Sequence, residues 1–122
     1  MWLPGYELVF CQEDEKIVIM DYCMVITTCA ESAEAERIAI GLVDQKLAAC
    51  VQISKITSYY TWKGQTHNDP EYRLLIKAPS NLYKKIEQCI KNMHSYEVPE
   101  IVQIPIQAGL KEYLDWIAEV TD

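Results

Sequence analysis

Apolar residues recur at two periods along the chain, and the switches between them lay out its elements. Cys23-Met24-Val25-Ile26-Thr27-Thr28 is β-rich and reads as a strand. Ala35, Ile38, Ala39 and Leu42 then repeat at helical spacing, and Val43 and Leu47 extend the stripe. This predicts an amphipathic helix about four turns long that opens at Glu31-Ser32. Glu31, Glu34 and Glu36 suit the positive end of its dipole. A second strand starts at Ala49 and runs to Trp62. Val51 and Ile53 share one parity, and Ile56, Tyr60 and Trp62 share the other. The switch at Ser54-Lys55 predicts a β-bulge that keeps both sets on one side. Gly64 and the polar run Gln65–Pro70 read as a turn. A shorter strand follows, with Tyr72, Leu74 and Ile76 alternating against Arg73, Leu75 and Lys77. Pro79-Ser80-Asn81 caps a second helix striped by Leu82, Ile86, Cys89, Ile90 and Met93. After an irregular stretch from His94 to Pro99, a strand covers Ile101–Ile106, with Pro105 placing it at an edge or an end. Gly109 breaks it, and a last helix carries Leu110, Tyr113, Leu114 and Ile117 on one side.

The order β-α-β-β-α-β, then α, is an α+β pattern, the split βαβ of the ferredoxin-like fold. Two right-handed crossovers put the two main helices on one face of an antiparallel sheet. Residues 21–122 read as a single domain. Residues 1–20 read as an N-terminal extension without clear periodicity, in which Glu13-Asp14-Glu15-Lys16 makes a polar turn and Ile17–Met20 offers an extra strand. The second strand is far longer than the usual five or six residues. Its end, with Tyr59, Tyr60 and Trp62, should overhang the sheet. An exposed apolar overhang asks for a partner, and a closed symmetric oligomer is the simplest cover.

Charge narrows the partners. Net charge is -7, with 11 Lys+Arg against 18 Asp+Glu, so the basic face of a nucleic-acid binder has little to be built from. No apolar run approaches a membrane span, and no basic residue precedes Lys16 as a secretory signal would want, so the expected location is cytoplasmic. Five widely spaced cysteines contain no CxxC and read chiefly as small buried hydrophobes. GxSxG, P-loop, GxGxxG and HExxH are all absent, which makes a non-enzymatic role the expectation. A copper-chaperone domain of this fold would want CxxC where Thr28-Cys29-Ala30-Glu31 stands, and an acylphosphatase-like enzyme would want an Arg in a Gly-rich loop there. His94 leaves the second helix at its C-terminal end, where the dipole favours a protonated imidazole. Lys77, Glu71, Tyr96 and Glu100, with the aromatics Tyr59, Trp62, Tyr113 and Trp116, form a polar and aromatic set of the kind that lines small-ligand clefts, here between subunits. His67 and Asp69 read as a solvated pair in a mobile turn.

Five stretches, in order, carry a resemblance. Lys46-Leu47-Ala48-Ala49-Cys50-Val51, Ser58-Tyr59-Tyr60-Thr61-Trp62-Lys63-Gly64, Ile76-Lys77, His94-Ser95-Tyr96-Glu97-Val98-Pro99-Glu100-Ile101 and Tyr113-Leu114-Asp115-Trp116-Ile117 look like the signature stretches of CutA, the divalent-cation tolerance family. The resemblance runs from about Met24 to Val120. It implies a homotrimer in which the long second strand reaches a neighbour, and an architecture similar to PII-type signalling proteins, which bind small ligands between subunits. It also implies a response to divalent metal ions, with copper binding proposed for some members and no obligatory cofactor. The chain departs from the pattern at Ser95, where Pro is usual, and at Ala78, where Thr is usual. The family's proposed copper ligands correspond to Thr27, Met93 and His94. The donors left are His94, Met93 as a soft thioether, and Cys50 if a basic or metal neighbour supports a thiolate.

Overall fold

The computed structural model describes the backbone of residues 6–10 and 17–20 and all of residues 21–122. The elements are β1 (Tyr6–Phe10), β2 (Ile17–Cys29), α1 (Ser32–Asp44), β3 (Cys50–Trp62), β4 (Gln65–Pro79), a 3-10 turn (Ser80–Leu82), α2 (Tyr83–Met93), β5 (Ile101–Pro105) and α3 (Lys111–Glu119). All strand pairs are antiparallel. β4 and β5 both pair with β2, and β3 pairs with β4, so the ferredoxin-like sheet runs β5-β2-β4-β3. The expected α+β class and element order are therefore present. The run Ile17–Met20 is the first part of β2, paired with β1 from Tyr6↔Asp21 to Phe10↔Ile17, so the boundary drawn at residue 20 falls within a continuous strand. The polar turn expected at residues 13–16 lies outside the described residues.

One face of the sheet packs against α1 and α2. Cys23, Val25 and Cys29 from β2 and Leu74, Ile76 and Ala78 from β4 meet Ala35, Ile38 and Leu42 from α1 and Ile86 and Ile90 from α2, all of them fully buried. Each large aliphatic side chain removed from water in this layer contributes roughly 1.5–3 kcal/mol. The opposite face is covered only in part, where α3 sets Leu114 and Ile117 against Tyr22. Elsewhere it stays open. Met24, Ile26 and Leu75 are half-buried there, and Val102 and Ile104 are exposed.

Three local expectations need correction. The register from Cys50↔Lys77 to Trp62↔Gln65 is unbroken, so there is no bulge at Ser54-Lys55. The parity switch instead records a change of which face is covered: Val51 packs on the helical core, while Ile56, Tyr60 and Trp62 share the open face. The turn is only Lys63-Gly64, both at positive φ (51° and 77°), as a two-residue hairpin loop matched to strand twist requires. Gln65–Pro70 is strand, paired residue for residue with β3. Finally, α1 stops at Asp44 rather than running to Leu47. Lys46 takes a left-handed conformation (φ 58°), its N–H donates to the Val43 carbonyl, and the Leu47 N–H donates to the Leu42 carbonyl. That is a Schellman turn, and it delivers Leu47 to the core beside the helix it leaves.

Candidate functional site

β2 ends its pairing with β4 at Cys29↔Tyr72, whereas β3 and β4 continue together from Ile56↔Glu71 to Trp62↔Gln65. The overhang is thus a two-stranded ribbon rather than a single strand. With no third strand beside it among the described residues, Pro70 is tolerated, because a ladder hydrogen bond is not demanded of it. Tyr59, Tyr60 and Trp62 are 73%, 42% and 60% exposed. His67 and Asp69, expected in a mobile turn, lie on β4 instead. His67 stacks on Tyr60 at 5.8 Å between ring centroids, and Asp69 accepts the Tyr60 hydroxyl, which pushes that phenol's pKa up.

A first cluster lies at the base of this ribbon, where α1 begins, β2 ends and α2 gives way to the 94–100 segment. His94 has a fully buried side chain. Its Nε2 is 2.7 Å from the Thr28 carbonyl oxygen, and its Nδ1 is 3.0 Å from the Tyr96 backbone nitrogen. A carbonyl can only accept and an N–H can only donate, so these contacts assign the neutral Nε2–H tautomer. Glu34, buried at 4% exposure, accepts the Ser95 N–H at 2.6 Å and the Ser95 hydroxyl at 3.1 Å. Tyr96 donates its hydroxyl to Glu71 at 2.9 Å. Burial and that bond push the Tyr96 phenol up. Cys29 Sγ is 3.8 Å from His94 Nε2, and burial, reinforced by the charges of Glu34 and Glu71, pushes the thiol up to about 12.

A second cluster forms on the open face where α3 crosses it. The Lys77 ammonium lies 5.5 Å from the centroid of Tyr113, and Tyr113 packs at 5.6 Å against Trp116. Cys50, half-buried, is the register partner of Lys77.

The structure therefore divides the expected cleft set. Tyr96 meets Glu71, Lys77 meets Tyr113 and Trp116, Tyr59 and Trp62 project on the ribbon, and Glu100 is exposed just before β5. One chain does not gather these groups into a single cavity. The metal candidates also stay apart. Both His94 nitrogens are engaged. Met93 lies against α1, its Sδ 3.2 Å from where a Cβ on Gly41 would be, and Cys50 is two strands away from β2. No group of three or more His, Cys, Asp or Glu positioned to hold a metal occurs among the described residues. A cavity of about 410 Å³ between α1 and α2 takes in Gln45, Leu47, Lys85 and Met93, but none of the cleft candidates.

Glu34 and Ser95 were not singled out by sequence as site residues. One signal existed: Glu34 stands four positions before Ile38, on the buried stripe itself, where an acid needs a partner.

The family model described as CutA1 divalent ion tolerance protein matches residues 23–120. The divalent-cation tolerance protein CutA of Archaeoglobus fulgidus is 42% identical over 98 residues, covering 80% of this chain and 96% of that one. That of Thermus thermophilus is 43% identical over 103 residues, covering 84% and 99%. A solved structure titled as the periplasmic divalent cation tolerance protein CutA from Archaeoglobus fulgidus superimposes with a TM-score of 0.81 at 40% identity, over 83% of this chain and 99% of that one. These relatives are named as tolerance proteins rather than as enzymes.

Proposed function

The chain belongs to the CutA1 divalent ion tolerance family, and on that premise we propose that it is a non-enzymatic homotrimer that binds divalent cations weakly as part of a response to metal ions. The observation that carries the assembly is the two-stranded ribbon beyond β2, with Tyr59, Tyr60 and Trp62 exposed, beside an open sheet face bearing Val102 and Ile104. The exposed aromatics of the ribbon and an apolar face on one molecule are complementary surfaces, and a rotation that closes at three copies would cover both. Trp62→Ala or Tyr60→Ala should weaken the assembly, since large aromatics dominate interface cores.

Metal binding on this reading is weak. A copper ion bound by this chain would find one neutral imidazole already committed to two hydrogen bonds, and no thiolate or second histidine beside it among the described residues. Copper(II) should outrank zinc(II) on such nitrogen and oxygen donors, with affinity in the micromolar range or weaker, about 8 kcal/mol at most. Calorimetric titration of wild type and His94→Ala with both ions tests this. Nanomolar copper binding abolished by His94→Ala would overturn it, because a partner subunit would then be completing a true site.

A second reading, a PII-like module that takes a small ligand between subunits, is favoured by one observation. Lys77 is half-buried against Tyr113, with no carboxylate partner among the described residues, beside a second aromatic. A thermal-shift screen of metal salts against small anionic metabolites separates the readings, because whichever binds the native state raises Tm by mass action.

A further inference from the structure

We infer that Glu34, Ser95, Tyr96 and Glu71 form a strut that holds the overhanging β3–β4 ribbon at a set angle to the helical layer, and so governs how tightly copies of this chain assemble. The inference rests on the assembly reading above and adds to it a residue set that ties the base of the ribbon back to α1.

The strut can be followed bond by bond. Glu34 is anchored in the first turn of α1 and buried on that helix's core stripe, so its carboxylate cannot drift. It grips Ser95 twice, through the backbone N–H at 2.6 Å and the hydroxyl at 3.1 Å. A carboxylate accepting two such bonds is held by charge-assisted contacts, roughly twice as strong as neutral ones. The next residue is positioned on its other side, because the Tyr96 N–H donates to His94 Nδ1 while His94 Nε2–H donates to the end of β2 at Thr28. The Tyr96 ring packs on His94 with centroids 4.8 Å apart. From that fixed ring the hydroxyl reaches Glu71. Glu71 pairs with Ile56, one step beyond the last β2–β4 pair, Cys29↔Tyr72. It is therefore at the hinge where the ribbon loses the support of β2. A two-stranded ribbon is weakly ordered by itself and twists freely. A tether at its base, tied to α1 through Ser95, restrains the direction in which Tyr59, Tyr60 and Trp62 project.

Ser95 is the link that can be removed cleanly. Proline offers neither the N–H nor the hydroxyl that Glu34 accepts. His94 is already extended (φ -82°, ψ 140°), the conformation a residue before proline prefers, so Ser95→Pro should delete both bonds without refolding residue 94. Tyr96→Phe removes only the far bond and leaves the helical layer untouched.

The test is trimer dissociation on dilution, followed by sedimentation velocity, for wild type, Ser95→Pro, Tyr96→Phe and the double variant, with circular dichroism to check the fold. Ser95→Pro is expected to raise the concentration at half-dissociation about tenfold, Tyr96→Phe about threefold, and the double variant no further than Ser95→Pro alone. Multiplicative effects in the double variant would mean two independent contacts and would overturn the strut. So would a dissociation curve unmoved by both changes. Ser95→Ala, which keeps the N–H bond, should fall between wild type and Ser95→Pro; if Ser95→Pro misfolds, the cycle is run on Ser95→Ala with the same criterion. A monomeric wild type would remove the assembly reading itself, and the strut with it, which is a different result from a trimer whose effects multiply.

Discussion

Thr27 offers a sharp test of how the core is read. It is fully buried on β2, with Leu74 of β4 and Ile101 of β5 as its register partners. Its hydroxyl has no hydrogen-bond partner among the described residues. A buried hydroxyl without a partner costs about 1–3 kcal/mol, the desolvation it never recovers. Valine keeps the branched shape suited to a strand and replaces that oxygen with a methyl group in an apolar layer. Thr27→Val should therefore stabilise the fold by about 1–2 kcal/mol, the lower part of that range because a methyl group is slightly larger than a hydroxyl. For a domain of this length each kcal/mol is worth about 3–5 °C, so Tm should rise by about 3–10 °C. Calorimetry at one fixed protein concentration measures this, since an assembling chain melts at a concentration-dependent temperature. Thr27→Ser, which keeps the hydroxyl and loses the methyl, should destabilise. A loss of about 1 kcal/mol or more in Thr27→Val would refute the reasoning, because it would place an ordered water or a backbone acceptor on that oxygen.

Two further outcomes are expected. Cys29 has its pKa pushed up to about 12 from an ordinary value of 9.0, so above pH 9 the unfolded chain releases a proton that the folded chain retains. Stability from this group is complete below pH 9 and is lost as pH rises toward 12, and Cys29→Ala should flatten that part of a urea-midpoint-against-pH curve; an unchanged slope would show that the group does not titrate as argued. Deleting residues 1–16 removes β1 and leaves intact the register of β2 with β4 and β5, so Tm should move by only a few degrees, under about 1 kcal/mol; a fall above about 10 °C would make β1 an integral strand.

The helices were legible because each buries a single stripe of its own surface. Ile38 and Leu42, like Ile86 and Ile90, are buried on one stripe, and burial at helical spacing writes itself into the residue order. β4 was half hidden for the opposite reason. Gln65–Pro70 has no core to face, since the ribbon projects past β2, so its residues are free to be polar and read as a loop. The mistaken bulge has the same origin: Ile56, Tyr60 and Trp62 belong to a face that the monomer leaves open, and a rule that assumes one buried face forces them to the wrong side. Leu47 has the spacing of a helical residue because a Schellman turn brings a residue beyond the helix back to the stripe. The Glu34–Ser95–Tyr96–Glu71 chain spans 61 and 25 residues of sequence separation at its two long-range links, distances over which spacing carries no information. Of the metal candidates, His94 was identifiable, but its neutral tautomer and two committed nitrogens follow only from where β2 ends and Tyr96 begins.

The central claim is that the open sheet face and the projecting ribbon are covered by other copies of this chain. Sedimentation equilibrium of wild type at micromolar concentration tests it most directly. The account predicts one species at three times the 14.1 kDa chain mass, shifted toward smaller species by Trp62→Ala. A single species at the chain mass would contradict it, and would leave Tyr59, Tyr60, Trp62, Val102 and Ile104 exposed to water without a reason.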